Sequence, residues 1–192
     1  IVVDFRPGLS EGELREAIRD ADGLAIRSAT TVTPELLDAA ENLKAVGRAG
    51  IGVDNVNIEA ATQRGVVVMN TPFGNSVTTA EHTIAMIMSL ARQLPLANAS
   101  THAGRWEKSA FMGMEVAGKT LGLIGCGNIG SIVADRAQGL KMRVVVCDPF
   151  LSAERAMDLS IEKVDFDGLL ARADIVSIHA PLTDGTRNLL NA

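Results

Sequence analysis

The sequence has few cysteines, no long hydrophobic run and no excess of basic residues. Its 192 residues include only two cysteines, Cys126 and Cys147, which argues against a disulfide scaffold and fits a reducing cytoplasm. No stretch approaches the ~20 uninterrupted apolar residues of a membrane-spanning helix. The 18 basic and 23 acidic residues give a formal charge of −5, which offers no electrostatic footprint for nucleic acid. We therefore expect a globular cytoplasmic protein whose partners include neither nucleic acid nor a membrane.

Short β-branched runs alternate with amphipathic helical stretches along the chain, which is typical of βαβ units and of the α/β fold class. Three strands are predicted in the first part of the chain, at 24–26, 45–46 and 66–69. Four more are predicted later, at 121–124, 144–147, 163–164 and 175–179. Because a complete dinucleotide-binding sheet commonly has six strands, the second series predicts a Rossmann-like, doubly wound parallel sheet that is incomplete.

The segment 70–75, Asn-Thr-Pro-Phe-Gly-Asn, interrupts this alternation and is the predicted hinge between two domains. The boundary is placed there, so that residues 1–71 form one domain and residues 72–192 the other. A long helix is expected from about residue 76 to residue 94, where Pro95 would end it. The next segment, 102–114, is expected to be helix and loop, with the only tryptophan, Trp106, as a candidate core residue.

The strongest motif is the glycine-rich segment 125–130, Gly-Cys-Gly-Asn-Ile-Gly, which lies between a predicted strand and a predicted helix. In such a segment Gly125 makes the tight turn, Gly127 lets a pyrophosphate approach the backbone, and Gly130 lets helix and strand pack closely. The helix N-terminus adds N–H groups and a partial positive charge for the diphosphate. A glycine-rich turn in an unrelated α/β fold is the alternative, but the order of strand, glycines, helix and acid favours a dinucleotide site.

Asp148 follows the next predicted strand, at roughly the 20-residue interval expected for the acid that binds the adenosine ribose hydroxyls. A carboxylate at this position accepts hydrogen bonds from the 2′-hydroxyl group and repels a 2′-phosphate. The sequence therefore predicts NAD rather than NADP as the cofactor. The alternative is that Asp148 is a solvated turn residue ahead of Pro149.

Four segments resemble the D-isomer-specific 2-hydroxyacid dehydrogenases. They are 48–55 (Arg-Ala-Gly-Ile-Gly-Val-Asp-Asn), 70–72 (Asn-Thr-Pro), the glycine-rich segment 125–130, and 179–183 (His-Ala-Pro-Leu-Thr). Within the family, three further segments are similar to the members that oxidise D-3-phosphoglycerate with NAD, the first step of phosphorylated serine biosynthesis. These are 26–30 (Ile-Arg-Ser-Ala-Thr), 104–108 (Gly-Arg-Trp-Glu-Lys) and 111–113 (Phe-Met-Gly).

The resemblance implies a role for each predicted domain. Residues 1–71 would belong to a smaller, flavodoxin-like parallel α/β domain that binds the substrate, and residues 72–192 would be the NAD-binding domain. The family pairs its nucleotide domains, so we expect a homodimer or homotetramer with the region of Trp106 at the interface. Motif and resemblance together assign NAD binding to Ile51, Gly125, Gly127, Asn128, Ile129, Gly130, Asp148, His179, Ala180 and Pro181.

The resemblance also implies a substrate site at the ends of the first strands. The assigned residues are Arg27, Ser28, Arg48, Ala49, Gly50 and Ile51. Arg27 would fork onto the phosphate or carboxylate of 3-phosphoglycerate, although an ordinary surface arginine is the alternative. The two glycines of the segment 48–52 would let backbone N–H groups point at a carboxylate, as in an anion-binding nest. Ile51 would contact the nicotinamide end of NAD, and His179 would shape a loop rather than move protons.

Hydride transfer at C2 of a 2-hydroxy acid needs an acid/base group for the hydroxyl proton and a cation that orients the carboxylate. The resemblance gives these tasks to a His supported by a Glu, and to an Arg, all of which follow the segment 179–183. None of the few residues after Thr183 matches them, so we assign no catalytic residue and no metal ligand. We expect part of a longer enzyme that is inactive by itself. A glyoxylate or hydroxypyruvate reductase and a non-catalytic, NAD-sensing corepressor-like protein remain alternatives.

Overall fold

The computed structural model describes residues 1–191, which form two compact units. The first unit ends at Asn75 and the second begins at Ser76, within a few residues of the predicted boundary between 71 and 72. Residue 192, the last residue of the predicted second domain, lies outside the described residues. The assignment of the first unit to the substrate and of the second to NAD stays a prediction.

The first unit is a three-stranded parallel sheet with three short helices. Its strands are β1 (Gly23–Ile26), β2 (Ala45–Arg48) and β3 (Val67–Asn70), and its helices are α1 (Glu11–Ala17), α2 (Pro34–Ala39) and α3 (Ile58–Gln63). The strands lie in the order β1-β2-β3. In the flavodoxin-like order 2-1-3-4-5, the last three strands are likewise neighbours in the order of the chain. The observed order therefore agrees with that class.

Side-chain caps begin the helices of the first unit. Ser10 and Glu13 form the predicted capping box of α1, and Thr33 accepts a hydrogen bond from the Leu36 N–H group at the start of α2. Asn57 caps α3 in the same way. Each cap satisfies an N–H group that the helix leaves without an acceptor, which marks the point where the helix begins.

The second unit is a four-stranded parallel sheet with helices on both faces. Its strands are β4 (Thr120–Ile124), β5 (Arg143–Cys147), β6 (Glu162–Lys163) and β7 (Ile175–Ile178). Its helices are α4 (Ser76–Ala91), α5 (Leu94–His102), α6 (Asn128–Gly139), α7 (Ala153–Asp158) and α8 (Phe166–Arg172), with a 3₁₀ turn at Lys108–Phe111. One face packs Leu123 against Val133 of α6, and the other packs Val145 against Leu169 of α8. The predicted doubly wound, parallel α/β sheet is confirmed.

The strand order of this sheet is β6-β5-β4-β7, and every residue of the central strand β4 is buried. The chain runs outward from β4 through β5 to β6, and then returns to the other side of β4 to form β7. The strand order therefore reverses between β4 and β7. In open α/β sheets, ligands bind outside the carboxyl ends of the strands at such a switch point.

The predicted long helix is wrong at its C-terminal end. It ends at Ala91, because Gln93 has a left-handed backbone conformation (φ 52°), and α5 begins at Leu94 with Pro95 in its first turn. Proline lacks an N–H group, but first-turn N–H groups have no acceptor within the helix, so proline is well tolerated there. Pro95 thus lies at the start of a helix rather than at the end of one. The core position considered for Trp106 is also wrong, since its side chain is 85% exposed.

Candidate functional site

The carboxyl ends of β4 and β7 meet at one edge of the second sheet. Gly125 directly follows β4 and has φ 93°, a conformation that favours glycine. A Cβ atom on Gly125 would lie 2.9 Å from the backbone nitrogen of Ala180 and 2.9 Å from the carbonyl oxygen of His179. A Cβ atom on Gly130 would collide with the carbonyl oxygen of Gly125. Close packing of backbone on backbone explains why both positions exclude a side chain.

Gly127 differs from the other two glycines of the motif, because a Cβ atom there would meet nothing within 4 Å. The space beside it is therefore open, which is what the approach of a diphosphate to the backbone requires. Gly127 is also the N-cap of α6 and has no side chain to occupy the first-turn N–H groups. Asn128 and Ile129 begin the helix, and Ile129 anchors it by packing against the core.

Asp148 follows β5 and is joined to the glycine-rich segment by a hydrogen bond. Its Oδ2 atom accepts from the Cys126 N–H group at 2.7 Å, and its Oδ1 atom accepts from the Phe150 N–H group at 2.8 Å. A carboxylate has about four acceptor sites, so capacity for a ribose diol remains. Spacing alone located Asp148, but it gave no sign of the bond to Cys126. That bond fixes the carboxylate at the switch-point edge.

At this edge the pKa shifts of one imidazole and two thiols favour their neutral forms. Burial lowers the pKa of His179, whose Nε2 atom lies 2.9 Å from Ser177 Oγ. Burial and the nearby Asp148 carboxylate raise the pKa of the Cys126 thiol, and the same two causes raise that of Cys147. Neither thiol is therefore activated as a nucleophile. Positive potential for an anion comes from the N-terminus of α6 rather than from a charged His179.

The segment after β7 completes the edge. The His179 N–H group donates to the carbonyl oxygen of Ile124 at 2.7 Å, which extends the pairing of β7 with β4 by one residue. Ala180 packs against the core of the α8 face, and Pro181 after it is exposed. The structure thus brings nine of the ten predicted NAD-binding residues to the ends of β4, β5 and β7. The tenth, Ile51, belongs to the first unit.

Two arginines lie at the carboxyl edge of the first sheet. Arg27 follows β1 and is exposed, whereas Arg48 ends β2 and is half-buried. Ile26 is paired with Arg48 in the sheet, so both arginines belong to the same edge. Neither guanidinium group has an ion-pair partner within residues 1–191. A guanidinium fork without a carboxylate partner suits recognition of an external carboxylate or phosphate.

Two backbone N–H groups of the segment 48–52, where an anion-binding nest is predicted, already have acceptors. The Ala49 N–H group donates to the Ile26 carbonyl oxygen at 2.9 Å, and the Gly50 N–H group donates to the Arg48 carbonyl oxygen at 2.9 Å. Both N–H groups are therefore already used inside the unit. The Arg48 guanidinium group lies over Gly50, because a Cβ atom at position 50 would meet the end of that flexible side chain. The chain places an arginine side chain, rather than this pair of backbone donors, over the segment.

Two asparagines of this edge were missed by the sequence reasoning. Asn55 Oδ1 accepts from Arg48 Nε at 3.3 Å, and Asn70 Nδ2 donates to the Ile51 carbonyl oxygen at 2.7 Å. Asn70 ends β3, opposite Arg48 in the sheet. The sequence signal that could have found them is their position in the segments 48–55 and 70–72. Asn55 lies in the loop after β2, and Asn70 is the last residue of β3.

Residues 1–191 contain neither a metal-binding cluster nor a helix that could span a membrane. No cluster of three or more His, Cys, Asp or Glu side chains in that range is arranged to hold a metal ion. No helix in the same range has the length and the apolar character needed to cross a membrane.

Comparison with curated proteins gives close sequence relatives. The chain is 47% identical over 188 residues to D-3-phosphoglycerate dehydrogenase of Archaeoglobus fulgidus, covering 98% of this chain and 36% of the relative. It is 48% identical over 179 residues to the protein of that name from Bacillus subtilis, covering 93% and 34%. The human protein of that name is 47% identical over 186 residues, covering 97% and 35%. The chain thus spans about a third of the length of these curated relatives.

Solved structures and a family model agree with this result. A protein of Thermus thermophilus superposes with a TM-score of 0.86 at 34% identity, covering 97% of this chain and 58% of that one. D-Lactate dehydrogenase of Aquifex aeolicus, solved with NAD and lactic acid, has a TM-score of 0.83 at 26% identity, covering 92% and 53%. Residues 84–192 match the model of the D-isomer specific 2-hydroxyacid dehydrogenase NAD binding domain, which confirms the predicted cofactor. Because this match covers more than half of the sequence, the chain belongs to the D-isomer-specific 2-hydroxyacid dehydrogenase family.

Proposed function

We propose that this chain is part of an NAD-dependent D-3-phosphoglycerate dehydrogenase that works in the cytoplasm. Such an enzyme oxidises D-3-phosphoglycerate to 3-phosphohydroxypyruvate, the first step of phosphorylated serine biosynthesis. The observation that carries the proposal is the 47% identity to the Archaeoglobus enzyme across 98% of the chain. The match includes both the unit with the two arginines and the unit with the glycine-rich segment.

The second unit supports the cofactor half of the proposal. We assign the diphosphate of NAD to the N-terminus of α6 beside Gly127, where the backbone is open and the helix dipole is positive. We assign the adenosine ribose to Asp148, whose fixed carboxylate accepts hydrogen bonds from the ribose hydroxyl groups and disfavours a 2′-phosphate. His179, Ala180 and Pro181 line the same edge. Bound NAD supplies the acceptor for the hydride that leaves C2 of the substrate.

The first unit supports the substrate half. D-3-Phosphoglycerate carries a carboxylate and a phosphate, and a planar guanidinium binds either group through two parallel hydrogen bonds. We assign its anionic end to Arg27 and Arg48, with Ser28 and the main chain of 49–51 beside them. Arg48 already uses Nε toward Asn55, so its terminal nitrogens remain for the substrate.

Oxidation at C2 also requires removal of the hydroxyl proton by a positioned base. His82 lies on α4 and His102 on α5, both exposed, and His102 has its Nδ1 atom 3.0 Å from the carbonyl oxygen of Asn98. His179 is partly buried, and its Nε2 atom already has a partner in Ser177 Oγ at 2.9 Å. We assign none of them as the catalytic base, and we propose that the acid/base pair and the carboxylate-orienting arginine lie outside these 192 residues.

We further propose that the second unit pairs with a second copy of itself. Four large apolar side chains near its first helices are exposed: Leu90 (74%), Leu96 (62%), Trp106 (85%) and Met112 (76%). Apolar and aromatic side chains of this kind are enriched in the buried centres of subunit interfaces. Analytical sedimentation of the chain tests this assignment by measuring its self-association. We expect a Trp106→Ser variant to associate more weakly.

The test of the proposed function separates binding from turnover. NAD binding is followed by saturation-transfer NMR, and NADH formation from D-3-phosphoglycerate by absorbance at 340 nm. We expect the chain to bind NAD weakly and to form no detectable NADH, because positioning and proton transfer supply most of the rate enhancement. NADH formation would contradict the absence of catalytic residues. NAD binding combined with selective binding of glyoxylate or hydroxypyruvate would favour the reductase alternative, and binding of NAD with no small acid would favour a corepressor-like protein.

A further inference from the structure

We propose that Asn55 is the positioning residue of the substrate edge. Its side-chain amide holds the loop of Arg27 and the guanidinium group of Arg48 in the arrangement that binds the anionic end of the substrate. The inference rests on the proposed function and adds to it a residue that does not itself need to touch the substrate.

Asn55 uses both ends of its amide on the two arginine-bearing segments. Its Nδ2 group donates to the carbonyl oxygen of Arg27 at 3.0 Å and to that of Thr30 at 2.6 Å. Its Oδ1 atom accepts from Arg48 Nε at 3.3 Å. One side chain therefore joins the turn after β1 to the end of β2, and it does so through the two residues assigned to the anion.

Asn55 is itself held by the backbone. The Val32 N–H group donates to the Asn55 carbonyl oxygen at 2.8 Å, and the Asn57 N–H group donates to the Val32 carbonyl oxygen at 2.9 Å. This bridge pairs Val32 with Val56, and both side chains are buried. The amide thus projects from a fixed point of the core toward a turn that is exposed at Arg27 and Ser28.

Only an amide of this length meets all three demands. The two carbonyl oxygens need a donor with two N–H bonds, and Arg48 Nε needs an acceptor. Aspartate would keep the acceptor, lose both donors and place a negative charge against Arg48. Alanine would remove all three bonds and leave the turn 27–30 with one long internal hydrogen bond, from the Thr30 N–H group to the Arg27 carbonyl oxygen at 3.3 Å.

The expected effect is a loss of affinity for the substrate anion that depends on Arg48. We expect Asn55→Ala to raise the dissociation constant for D-3-phosphoglycerate, measured by NMR titration, about tenfold. In an Arg48→Ala background the same change is expected to raise it less than threefold, because only the bonds to the Arg27 turn are left to lose. Such non-additivity in a double-mutant cycle is the sign of residues that act through one another.

The matched control is Asn42→Asp, a change at an exposed residue of the same unit, which should leave the dissociation constant within twofold. Asn55→Asp should weaken binding at least as much as Asn55→Ala. An equal effect of Asn55→Ala in both backgrounds would mean a general structural role and would overturn this inference alone. A wild-type chain that binds NAD but not D-3-phosphoglycerate would overturn the proposed substrate and this inference together. An unchanged dissociation constant in Asn55→Ala would overturn it as well.

Discussion

Replacing Asp148 by alanine is expected to affect both the folded chain and its choice of cofactor. The carboxylate accepts from the Cys126 and Phe150 N–H groups at 2.7 and 2.8 Å, so Asp148→Ala leaves two backbone donors without this acceptor. Hydrogen bonds to a charged group contribute about 1.5–3 kcal/mol each, and water replaces part of that at a half-buried edge. We expect the free energy of unfolding to fall by about 1.5–3 kcal/mol.

The loss of cofactor affinity has a separate cause. The variant lacks the charged acceptor for the ribose diol, which is worth a further loss of about 1.5–3 kcal/mol, or about 10- to 150-fold in the dissociation constant for NAD. NADP should lose less, because the wild-type carboxylate repels its 2′-phosphate. The preference for NAD over NADP therefore narrows.

Two measurements on the same samples test this reasoning. Calorimetric titration gives the dissociation constants of NAD and NADP, and urea unfolding gives the stability change. The control is Asp135→Ala, which removes an equal charge from an exposed residue of α6 in the same unit. A variant that is less stable but binds NAD as the wild type does would show that Asp148 only braces the turn. Equal losses for NAD and NADP would refute the selectivity argument.

Three further predictions follow from the described contacts. Gly130→Ala should lower the free energy of unfolding by about 1–3 kcal/mol and weaken NAD binding, because its Cβ atom meets the Gly125 carbonyl oxygen. The control is Gly139→Ala in the same helix, where a Cβ atom meets nothing within 4 Å, and it should not lower stability in urea unfolding. Arg27→Ala should weaken the binding of D-3-phosphoglycerate more than that of unphosphorylated 2-hydroxy acids, as measured by NMR titration. Equal losses of affinity for both kinds of acid would mean that Arg27 has a structural role. Burial lowers the pKa of His179 from its ordinary value of 6.5, so the unfolded chain binds protons at a higher pH than the folded chain does. The free energy of unfolding should therefore fall as the pH drops from 7.5 to 5.5. In urea unfolding over this range, His179→Gln should make the fall shallower.

Local sequence signals located most of the strands and the glycine-rich turn. The capping box of Ser10 and Glu13 and the strand before Gly125 were predictable because each depends on residues a few positions apart. The break at Gln93 was not predictable from Pro95, since proline both ends helices and begins them, and its neighbours decide which.

The candidate site also has features that the sequence could predict and features that it could not. The spacing from Gly125 to Asp148 predicted a cofactor site because dinucleotide-binding domains share this interval between the glycine motif and the acid. The spacing could not indicate that Asp148 bonds to Cys126, or that Asn55 bonds to the Arg27 turn, because these contacts depend on how separate strands align in space. The acceptors of the Ala49 and Gly50 N–H groups, inside the segment of the predicted nest, were hidden for a related reason. The Ala49 N–H group donates to Ile26 across the paired strands β1 and β2, whereas the Gly50 N–H group donates to Arg48 within its own segment.

The reversal of strand order between β4 and β7 has a consequence for how the chain folds. Contacts between β4 and β5 close a short loop: Cys126 and Asp148 are 22 positions apart. Contacts between β4 and β7 close a much longer one, since the Thr120 N–H group reaches Asp174 Oδ2 across 54 positions. Loop closure costs more entropy as loops lengthen, and long-range pairing slows folding. The glycine-rich turn and Asp148 should thus become ordered before His179 and Ala180 arrive, so amide hydrogens of β7 should gain protection last in pulse-labelled refolding.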